Sequence, residues 1–269
     1  MLRVQRGEQV SEINPRQIFS LSGKVAIVTG GAIGLGRTMA EFLAAFGANL
    51  AIVDLDEAGA NKAAKEIAAT NGVRAIGCRC NVASVEEIQA TVTRVVVELG
   101  SVDILLNNAG INVRERALDV SEEHWDRILD VNLKGMFFFA QAVGRVMVPK
   151  RSGKIINMAS IQGVIAHKLR SAYASSKGGV VSMTRQLAIE WARDNVQVNA
   201  IAPSFFVTPM NKPLFDDKEF SAFIDAHTPV GRPGQPEELG GVVVFLASAA
   251  SSFVTGHTVL VDGGMTATA

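Results

Sequence analysis

The sequence has no excess of charge of either sign. Its 269 residues carry 26 lysines and arginines against 26 aspartates and glutamates, so the formal net charge at pH 7 is zero. The composition therefore lacks the broad basic surface that binds nucleic acid or an anionic membrane, and we expect neither as a partner. Only 19% of the residues are charged and 48% are hydrophobic, which excludes a disordered or fibrous protein.

Cysteine is scarce, and long apolar runs are missing. Cys78 and Cys80 lie in a strand-like segment without a second cluster of metal ligands, so we expect two buried thiols, no disulfide framework and no metal. The longest apolar stretch, 240–250, falls well short of the roughly 20 residues of a membrane-spanning helix. Residues 1–20 mix charges and contain no secretion signal. These absences predict a soluble, cytoplasmic protein.

What the chain does have is an alternation of short apolar segments and amphipathic segments. The predicted strands are 24–29, 49–53, 73–78, 103–106, 154–158, 197–201 and 258–261. The predicted helices are 35–46, 57–70, 85–99, 121–148, 172–193 and 236–247. Strands without strict in–out alternation, separated by helices, are typical of a parallel sheet covered on both faces. We therefore predict a single-domain α/β fold, a doubly wound parallel sheet of the Rossmann type.

Two segments lie outside this alternation. Residues 1–20 form a polar N-terminal extension, and the predicted domain is 21–269. Within that domain, 203–236 holds six of the eight prolines and five phenylalanines. A long insertion of this kind after a strand is more often a functional cover than a plain connection, so we predict a lid over the site.

A glycine-rich turn joins the first predicted strand to the first helix. The segment TGGAIGLG carries Gly30, Gly34 and Gly36, and glycines there let the backbone approach a pyrophosphate at the helix N-terminus. A second turn of small residues, NNAG at 107–110, closes the fourth strand, at the edge where open α/β sheets bind ligands. Each turn alone also occurs as a simple connection, and their position in the fold is what favours a phosphate-bearing ligand.

Asp54 ends the second predicted strand, about 20 residues after the glycine-rich turn. A carboxylate there can accept hydrogen bonds from both hydroxyls of an adenosine ribose, and it would repel a 2′-phosphate. Neither Ile33 nor Leu55, the neighbours placed to meet such a phosphate, is basic. We therefore predict NAD in preference to NADP, the alternative being a carboxylate that only begins a helix.

The chain has a single tyrosine, Tyr173, and Lys177 follows it four residues later. On a helix the two side chains share a face, so an ammonium group can lie near the phenol. The tyrosine pKa is ordinarily about 10, and a nearby positive charge lowers it, which makes a proton acceptor usable near neutrality. Ser160 ends a predicted strand, where its hydroxyl can hold a substrate oxygen, and Asn132 lies in the preceding long helix. Tyr–Lys pairs at this spacing are also common on helix surfaces.

Together, in this order and spacing, TGGAIGLG, NNAG, VNLKG, the serine and YASSK resemble the short-chain dehydrogenase/reductase family over about residues 21–264. The resemblance implies hydride transfer between an alcohol carbon and a nicotinamide cofactor. It implies that Tyr173 is the acid/base and that Lys177 lowers its pKa and holds the nicotinamide ribose. It implies that Ser160 orients the substrate oxygen and that Asn132 supports a water-mediated proton relay.

The resemblance also implies a cofactor site. Its expected members are Gly30, Ile33, Gly34, Gly36, Asp54, Asn81, Val82, Asn108, Ala109, Gly110, Tyr173, Lys177, Pro203 and Thr208. Two positions depart from the family's pattern. Asn81-Val82 stands where the family has Asp-Val beside the adenine, and an amide still donates and accepts hydrogen bonds there. Pro203-Ser204 stands where the family has Pro-Gly, so we expect a stiffer turn beneath the nicotinamide.

Polar residues are expected on the substrate side. We predict that Arg114, Gln162 and His167 contact the substrate, because the planar fork of an arginine suits a carboxylate. The stretches NAGINVRERAL, GKIINMASIQG, TPVGRPGQPEEL and VFLASAASSFVTGHTVLVDGG are similar to the gluconate 5-dehydrogenase and 2-dehydro-3-deoxygluconate 5-dehydrogenase branch, which implies a sugar acid as substrate. For Lys168 and Arg170, simple solvation on a loop is the stronger interpretation.

Two other functions stay open. A 3-oxoacyl-thioester (acyl-carrier-protein) reductase of the same family would prefer NADP and need a basic docking patch, which Asp54 and the balanced charge disfavour. A non-catalytic, cofactor-binding regulator would be free to lose the tyrosine, the lysine or the serine, yet all three are present. Because the family is commonly tetrameric, we expect a homotetramer acting on a small molecule.

The Tyr173–Lys177 pair leads to a first prediction. Tyr173→Phe removes only the phenolic hydroxyl, so the variant should still bind cofactor but should lose turnover. Initial rates measure the loss of turnover, and a cofactor titration on the same preparation measures whether cofactor binding is retained. Substantial residual activity would remove Tyr173 from its role.

Overall fold

The computed structural model describes residue 15, residues 17–208 and residues 212–268. Most of the predicted N-terminal extension, and Pro209 in the predicted lid, lie outside the described residues. Leu21 is buried, and its amide donates to the carbonyl of Phe46, so the chain is packed against the domain from that point. Among the described residues, none of the helices combines the length and apolar character that a membrane crossing requires.

Seven strands form one parallel sheet in the described part of the chain, and their spatial order is β3-β2-β1-β4-β5-β6-β7. The strands are β1 (Val25–Thr29), β2 (Asn49–Asp54), β3 (Ala75–Arg79), β4 (Ile104–Asn107), β5 (Gly153–Met158), β6 (Val196–Pro203) and β7 (Thr258–Val261). The order reverses between β1 and β4, which opens a crevice at the carboxyl ends of these two strands. The predicted doubly wound sheet is confirmed.

Helices cover both faces of this sheet. They are α1 (Gly34–Ala45), α2 (Glu57–Asn71), α3 (Val85–Leu99), α4 (Glu122–Leu129), α5 (Gly135–Lys150), α6 (Ser171–Trp191), α7 (Lys212–Phe215), α8 (Lys218–His227) and α9 (Gly240–Ala247). Along β1, Ala26 and Val28 face an apolar layer shared with α1, α2 and α9, whereas Val25 and Ile27 face one shared with α3 and α5. Because both faces are buried, the strands are apolar without alternation.

Two predicted helices have different internal structure. The helix predicted at 121–148 is α4 and α5 joined by one π-helical turn, Asp130–Lys134, and the helix predicted at 236–247 begins with a 3₁₀ turn before α9. Hydrophobic periodicity does not register one extra residue in a single turn, so the sequence did not indicate the π turn. This turn matters because it carries Asn132.

The described part of segment 203–236 contains α7 and α8, which we had not predicted. The side chain of Asp217 accepts a hydrogen bond from the amide of Phe220 and so caps the start of α8. The two ends of the segment are tied together, because the amide of Val207 donates to the carbonyl of Gly234 at 2.9 Å. Frequent prolines and aromatic residues obscured a helix of only ten residues.

Candidate active site

A cavity of about 590 Å³ lies at the carboxyl end of the sheet, beside the point where the strand order reverses. It is lined by Gly30, Ile33, Gly34, Leu35, Gly36, Asp54, Leu55, Cys80, Asn81, Val82, Asn108, Ala109, Gly110, Ile111, Val131 and Thr208. Every predicted cofactor residue except Tyr173, Lys177 and Pro203 is in this set. The other lining residues have mostly apolar side chains, and an apolar residue in a sequence does not indicate a binding site.

Pro203 does not line the cavity. It is the last residue of β6, pairs with Val261 of β7 and is buried. The amide of Ser204 donates to the carbonyl of Val261 at 3.2 Å. Ser204 is not among the described residues with a positive φ, so a serine in place of glycine creates no backbone strain there.

The glycine-rich turn leaves room for a phosphate group. Gly30 and Gly34 have φ of +62° and +61°, a conformation that favours glycine. A Cβ on Gly36 would lie 2.2 Å from the carbonyl oxygen of Gly30 and 2.4 Å from Nδ2 of Asn108. Helix α1 has no side-chain cap on Ile33, so its first backbone N–H groups remain available to an anion. These features fit the pyrophosphate of a dinucleotide.

Hydrogen bonds join the turn after β1 to the turn after β4. Thr29 Oγ1 accepts from the amides of Asn108 and Ala109, at 2.9 and 3.0 Å. Asn108 Nδ2 donates to the carbonyls of Thr29 and Gly30, both at 3.0 Å. Thr29 holds this edge in place, and it was not among our predicted residues although it opens the glycine-rich motif.

Asp54 lies beside the glycine-rich turn. Its Oδ2 accepts from the amide of Ala32 at 3.1 Å, and its Oδ1 accepts from the amide of Asp56 at 3.2 Å. Ile33 and Leu55, on either side, are 64% and 63% exposed. Among the described residues that line the cavity, Asp54 is the one charged side chain. The cavity therefore offers a carboxylate and no cation where a ribose would lie.

Tyr173 and Lys177 face the same side of α6, as their spacing predicts. Lys177 is buried, and its Nζ donates to the carbonyl of Met158 at 2.6 Å and lies 5.6 Å from the centre of the Tyr173 ring. A Cβ built on Gly110 would lie 3.6 Å from Lys177 Nζ and 3.3 Å from Asn132 Oδ1. The NNAG turn, the lysine and the asparagine thus meet at the edge of the cavity.

Asn132 is wholly buried in the π turn, and its side chain joins two parts of the site. Oδ1 accepts from the amide of Ile111 at 2.8 Å, and Nδ2 donates to the carbonyl of Ile111 at 2.8 Å and to Ser176 Oγ at 3.2 Å. This side chain therefore holds the segment after β4 against α6. The widened turn brings the amide to the inside of the fold.

Ser160 is also placed next to the tyrosine. It follows β5, is buried, and accepts a hydrogen bond at 3.2 Å from the amide of Gln162. Its side chain also acts to lower the pKa of Tyr173, which indicates that the two hydroxyls are neighbours. A substrate oxygen that bonds to both hydroxyls would lie beside the cavity.

The electrostatics of this pair differ from our expectation. Burial lowers the pKa of Lys177 to about 7. Burial raises the pKa of Tyr173, while the Ser160 side chain and the charge of Arg170 act to lower it. We had predicted that Lys177 lowers the tyrosine pKa. In this structure the groups that act to lower it are Ser160 and Arg170, and burial outweighs both, so the pKa is raised overall.

The residues predicted on the substrate side lie near the segment that follows β5. The side chains of Gln162 and His167 are hydrogen-bonded through Nε2 and Nδ1. The His167 ring packs edge-on against Phe205 and Phe223, at 5.9 and 6.0 Å between ring centres. Burial lowers the pKa of His167, and the charges of Arg170 and His227 add to this. The predicted lid therefore contacts the predicted substrate residues through aromatic rings.

The expectation that Arg170 is a solvated loop residue is wrong. Its side chain is partly buried, and its guanidinium carbon lies 5.8 Å above the centre of the Phe205 ring. Lys168 is exposed, as expected, and Arg114 is exposed as well. From the sequence we could place these cations only in a predicted loop. The sequence could not show which of them would pack against an aromatic side chain.

The fold and this cavity define a class of protein, the dinucleotide-dependent oxidoreductases. A family model described as enoyl-(acyl carrier protein) reductase matches residues 30–266. The chain belongs to the short-chain dehydrogenase/reductase family. It is thus an enzyme that acts on an alcohol or keto group with a nicotinamide cofactor.

Individual relatives match over nearly their full length. The 5-keto-D-gluconate 5-reductase of Escherichia coli K12 is 41% identical over 248 residues, covering 92% of this chain and 97% of that protein. The NAD-dependent glycerol dehydrogenase of Listeria innocua serovar 6a is 39% identical over 249 residues, covering 92% and 96%. The crystal structure of a gluconate 5-dehydrogenase from Burkholderia cenocepacia J2315 with NADP and tartrate has a TM-score of 0.90 at 40% identity, covering 93% and 98%.

The tight glycine-rich turn leads to a second prediction. Gly36→Ala should weaken cofactor binding at least about tenfold, because the new methyl group must displace the Gly30 carbonyl or the Asn108 amide. Gly241→Ala is the matched control: a Cβ there meets no atom within 4 Å, so binding should be unchanged. Titration of NADH fluorescence measures both. Equal affinity in the two variants would contradict the close approach at Gly36.

The burial of Lys177 leads to a pH prediction for the cofactor-free protein. Its folded pKa of about 7 lies below the unfolded value, so between these two values the unfolded chain binds more protons and stability rises with pH. Lys177→Met abolishes this contribution. From pH 7 to 9, the free energy of unfolding of the unmodified chain should therefore gain on the order of 2 kcal/mol relative to the variant.

Denaturant unfolding of both proteins at several pH values measures this difference. The effect of Lys154, whose pKa burial lowers to about 8, is common to both proteins and cancels. Parallel pH profiles would mean that Lys177 stays protonated in the folded chain.

Proposed function

We propose that this chain is an NAD-dependent oxidoreductase that interconverts a secondary alcohol and a ketone of a sugar acid. The observation that carries the proposal is the position of Tyr173, whose ring centre lies 5.6 Å from Lys177 Nζ and whose pKa is influenced by the Ser160 side chain and the charge of Arg170. A hydroxyl pair of this kind suits a carbonyl or alcohol oxygen, and a cation beside it suits an acid. Two of the relatives above bear names of gluconate enzymes.

The proposed mechanism assigns one proton to this chain. In the reducing direction the phenol of Tyr173 donates its proton to the substrate oxygen while Ser160 holds that oxygen. The bound nicotinamide cofactor supplies the hydride for the carbonyl carbon. In the oxidising direction Tyr173 accepts the hydroxyl proton. Because burial raises the tyrosine pKa, the phenol is protonated at neutral pH and is ready to act as the acid.

Lys177 and Asn132 take positioning roles in this proposal. The hydrogen bond from Lys177 Nζ to the Met158 carbonyl sets the ammonium group at the base of the site, where it would hold the nicotinamide ribose. The side chain of Asn132 fixes the segment after β4 against α6 and so keeps the lysine beside Gly110. A water-mediated proton path would begin at this lysine.

The preference for NAD over NADP is inferred from the charge of the part of the cavity where the adenosine ribose would bind. The carboxylate of Asp54 would repel a 2′-phosphate, and no described lining residue supplies a positive charge to offset it. Names of relatives point both ways, since one is called NAD-dependent and another was crystallised with NADP. The argument for NAD therefore depends on Asp54.

Three further properties belong to the proposal. We place the enzyme in the cytoplasm. We assign segment 203–236 as a lid, because the Phe205 ring of this segment packs against His167. We also propose a homotetramer. An open groove beside α5 and α6 exposes apolar side chains, including Phe137 and Met183, which supports association about two-fold axes.

Initial rates with NAD(H) and NADP(H) test this function. The substrates are gluconate, 5-ketogluconate, sorbitol, glycerol and an acetoacetyl thioester. We expect a sugar acid with NAD(H) to be preferred. Turnover of the thioester alone, with NADPH, would contradict both the proposed sugar-acid substrate and the proposed NAD preference. It would favour the acyl-thioester reductase. A protein that binds NADH but turns over nothing would favour the regulator.

Asp54→Asn tests the cofactor choice on its own. Loss of the charge should lower the NAD-to-NADP ratio of kcat/KM at least about tenfold. Asp56→Asn removes the same charge two residues away, outside the cavity, and should leave the ratio unchanged. If both variants keep the ratio of the unmodified chain, Asp54 does not select the cofactor.

A further inference from the structure

Arg170 is a partly buried cation without an acidic partner among the described residues. It immediately precedes α6 and stands three residues before Tyr173. Its guanidinium lies over the face of the Phe205 ring, at 5.8 Å. None of the ion pairs formed by the described residues includes Arg170, although six other arginines form such pairs with a carboxylate.

The surroundings of Arg170 add positive charge. Burial lowers its pKa, and repulsion from Arg114 lowers it further, while interaction with Tyr173 acts in the opposite direction. An anion that binds beside two arginines that repel each other relieves this repulsion and is itself stabilised by their charges. The guanidinium carbon lies 5.8 Å from the centre of the Phe205 ring, and no ion pair of the described residues uses the guanidinium group, whose planar fork can bind a carboxylate through two hydrogen bonds.

We propose that Arg170 binds the carboxylate of the substrate and determines the preference for sugar acids over neutral sugars. This inference rests on the proposed function and names the residue that recognises the acid. Arg170 fits this role better than Arg114, because Arg114 is exposed and a charge contact is weaker in water. Since Arg170 is the N-cap residue of α6 and Tyr173 lies in the first turn of that helix, the acid group and the reacting oxygen would bind at neighbouring points near the start of α6.

The test compares two substrates that differ only at the acid group. These are 5-ketogluconate and L-sorbose, which has a primary alcohol in place of the carboxylate. Rates of NADH oxidation give kcat/KM for each. Arg170→Gln should lower the ratio of 5-ketogluconate to L-sorbose by about 10- to 100-fold, mainly through KM. Any effect of Arg170 on the pKa of Tyr173 acts on both substrates and cancels in this ratio.

A matched control and two further variants complete the design. Lys168→Gln removes a positive charge from the same loop at an exposed position and should leave the ratio unchanged. Arg170→Lys should recover part of the ratio, because it keeps the charge but not the bidentate geometry. Phe205→Leu removes the ring beneath the guanidinium and should lower the ratio several-fold, and it serves as the test if Arg170→Gln does not fold.

The outcomes separate this inference from the proposed function. If the unmodified enzyme reduces 5-ketogluconate and Arg170→Gln leaves the ratio unchanged, or lowers both rates equally, the inference is overturned and the proposed function stands. If the unmodified enzyme reduces only the thioester, the proposed function itself fails. A selective loss of the acid substrate, with partial rescue by lysine, supports Arg170 as the residue that binds it.

Discussion

The site depends on the hydrogen bonds that join the turn after β1 to the turn after β4. Thr29 and Asn108 form these bonds where the strand order reverses, so they fix the two sides of the crevice relative to each other. Gly36 fits against the same turn so closely that no side chain could replace its hydrogen. The backbone that is to meet a cofactor is therefore held before the cofactor arrives.

Burial governs the chemistry at the other end of the crevice. Lys177 and Tyr173 lie in the first turns of α6, and the desolvation of each opposes its charged form. The groups that favour the phenolate are Ser160 and Arg170, on the substrate side. The acid/base group and the cation proposed to bind the substrate are thus electrostatically linked. A bound acid that screens the charge of Arg170 would raise the tyrosine pKa and so favour the protonated phenol over the phenolate.

Much of the fold and the cofactor end followed from patterns within single segments. Every predicted strand was found, because a run of Val, Ile and Ala bounded by turns has few other solutions in an α/β chain. Three elements escaped prediction: the π turn around Asn132, which adds one residue without changing the apolar period, and the helices α7 and α8, which are short and lie among prolines. Pro203 was assigned by motif; in the structure it ends β6, beside β7, and is not one of the described residues that line the cavity.

The sequence by itself determined the layer architecture, the glycine-rich turn, the carboxylate of Asp54 and the shared face of Tyr173 and Lys177. Each depends on residues close together in the chain, whose geometry follows from helix and strand periodicity. Tertiary structure alone decided which cation is covered. The guanidinium of Arg170 packs against the ring of Phe205, which is distant in sequence. Lys177 Nζ donates to the carbonyl of Met158 at the end of β5. Burial and charge depend on such distant neighbours, so no local pattern records them.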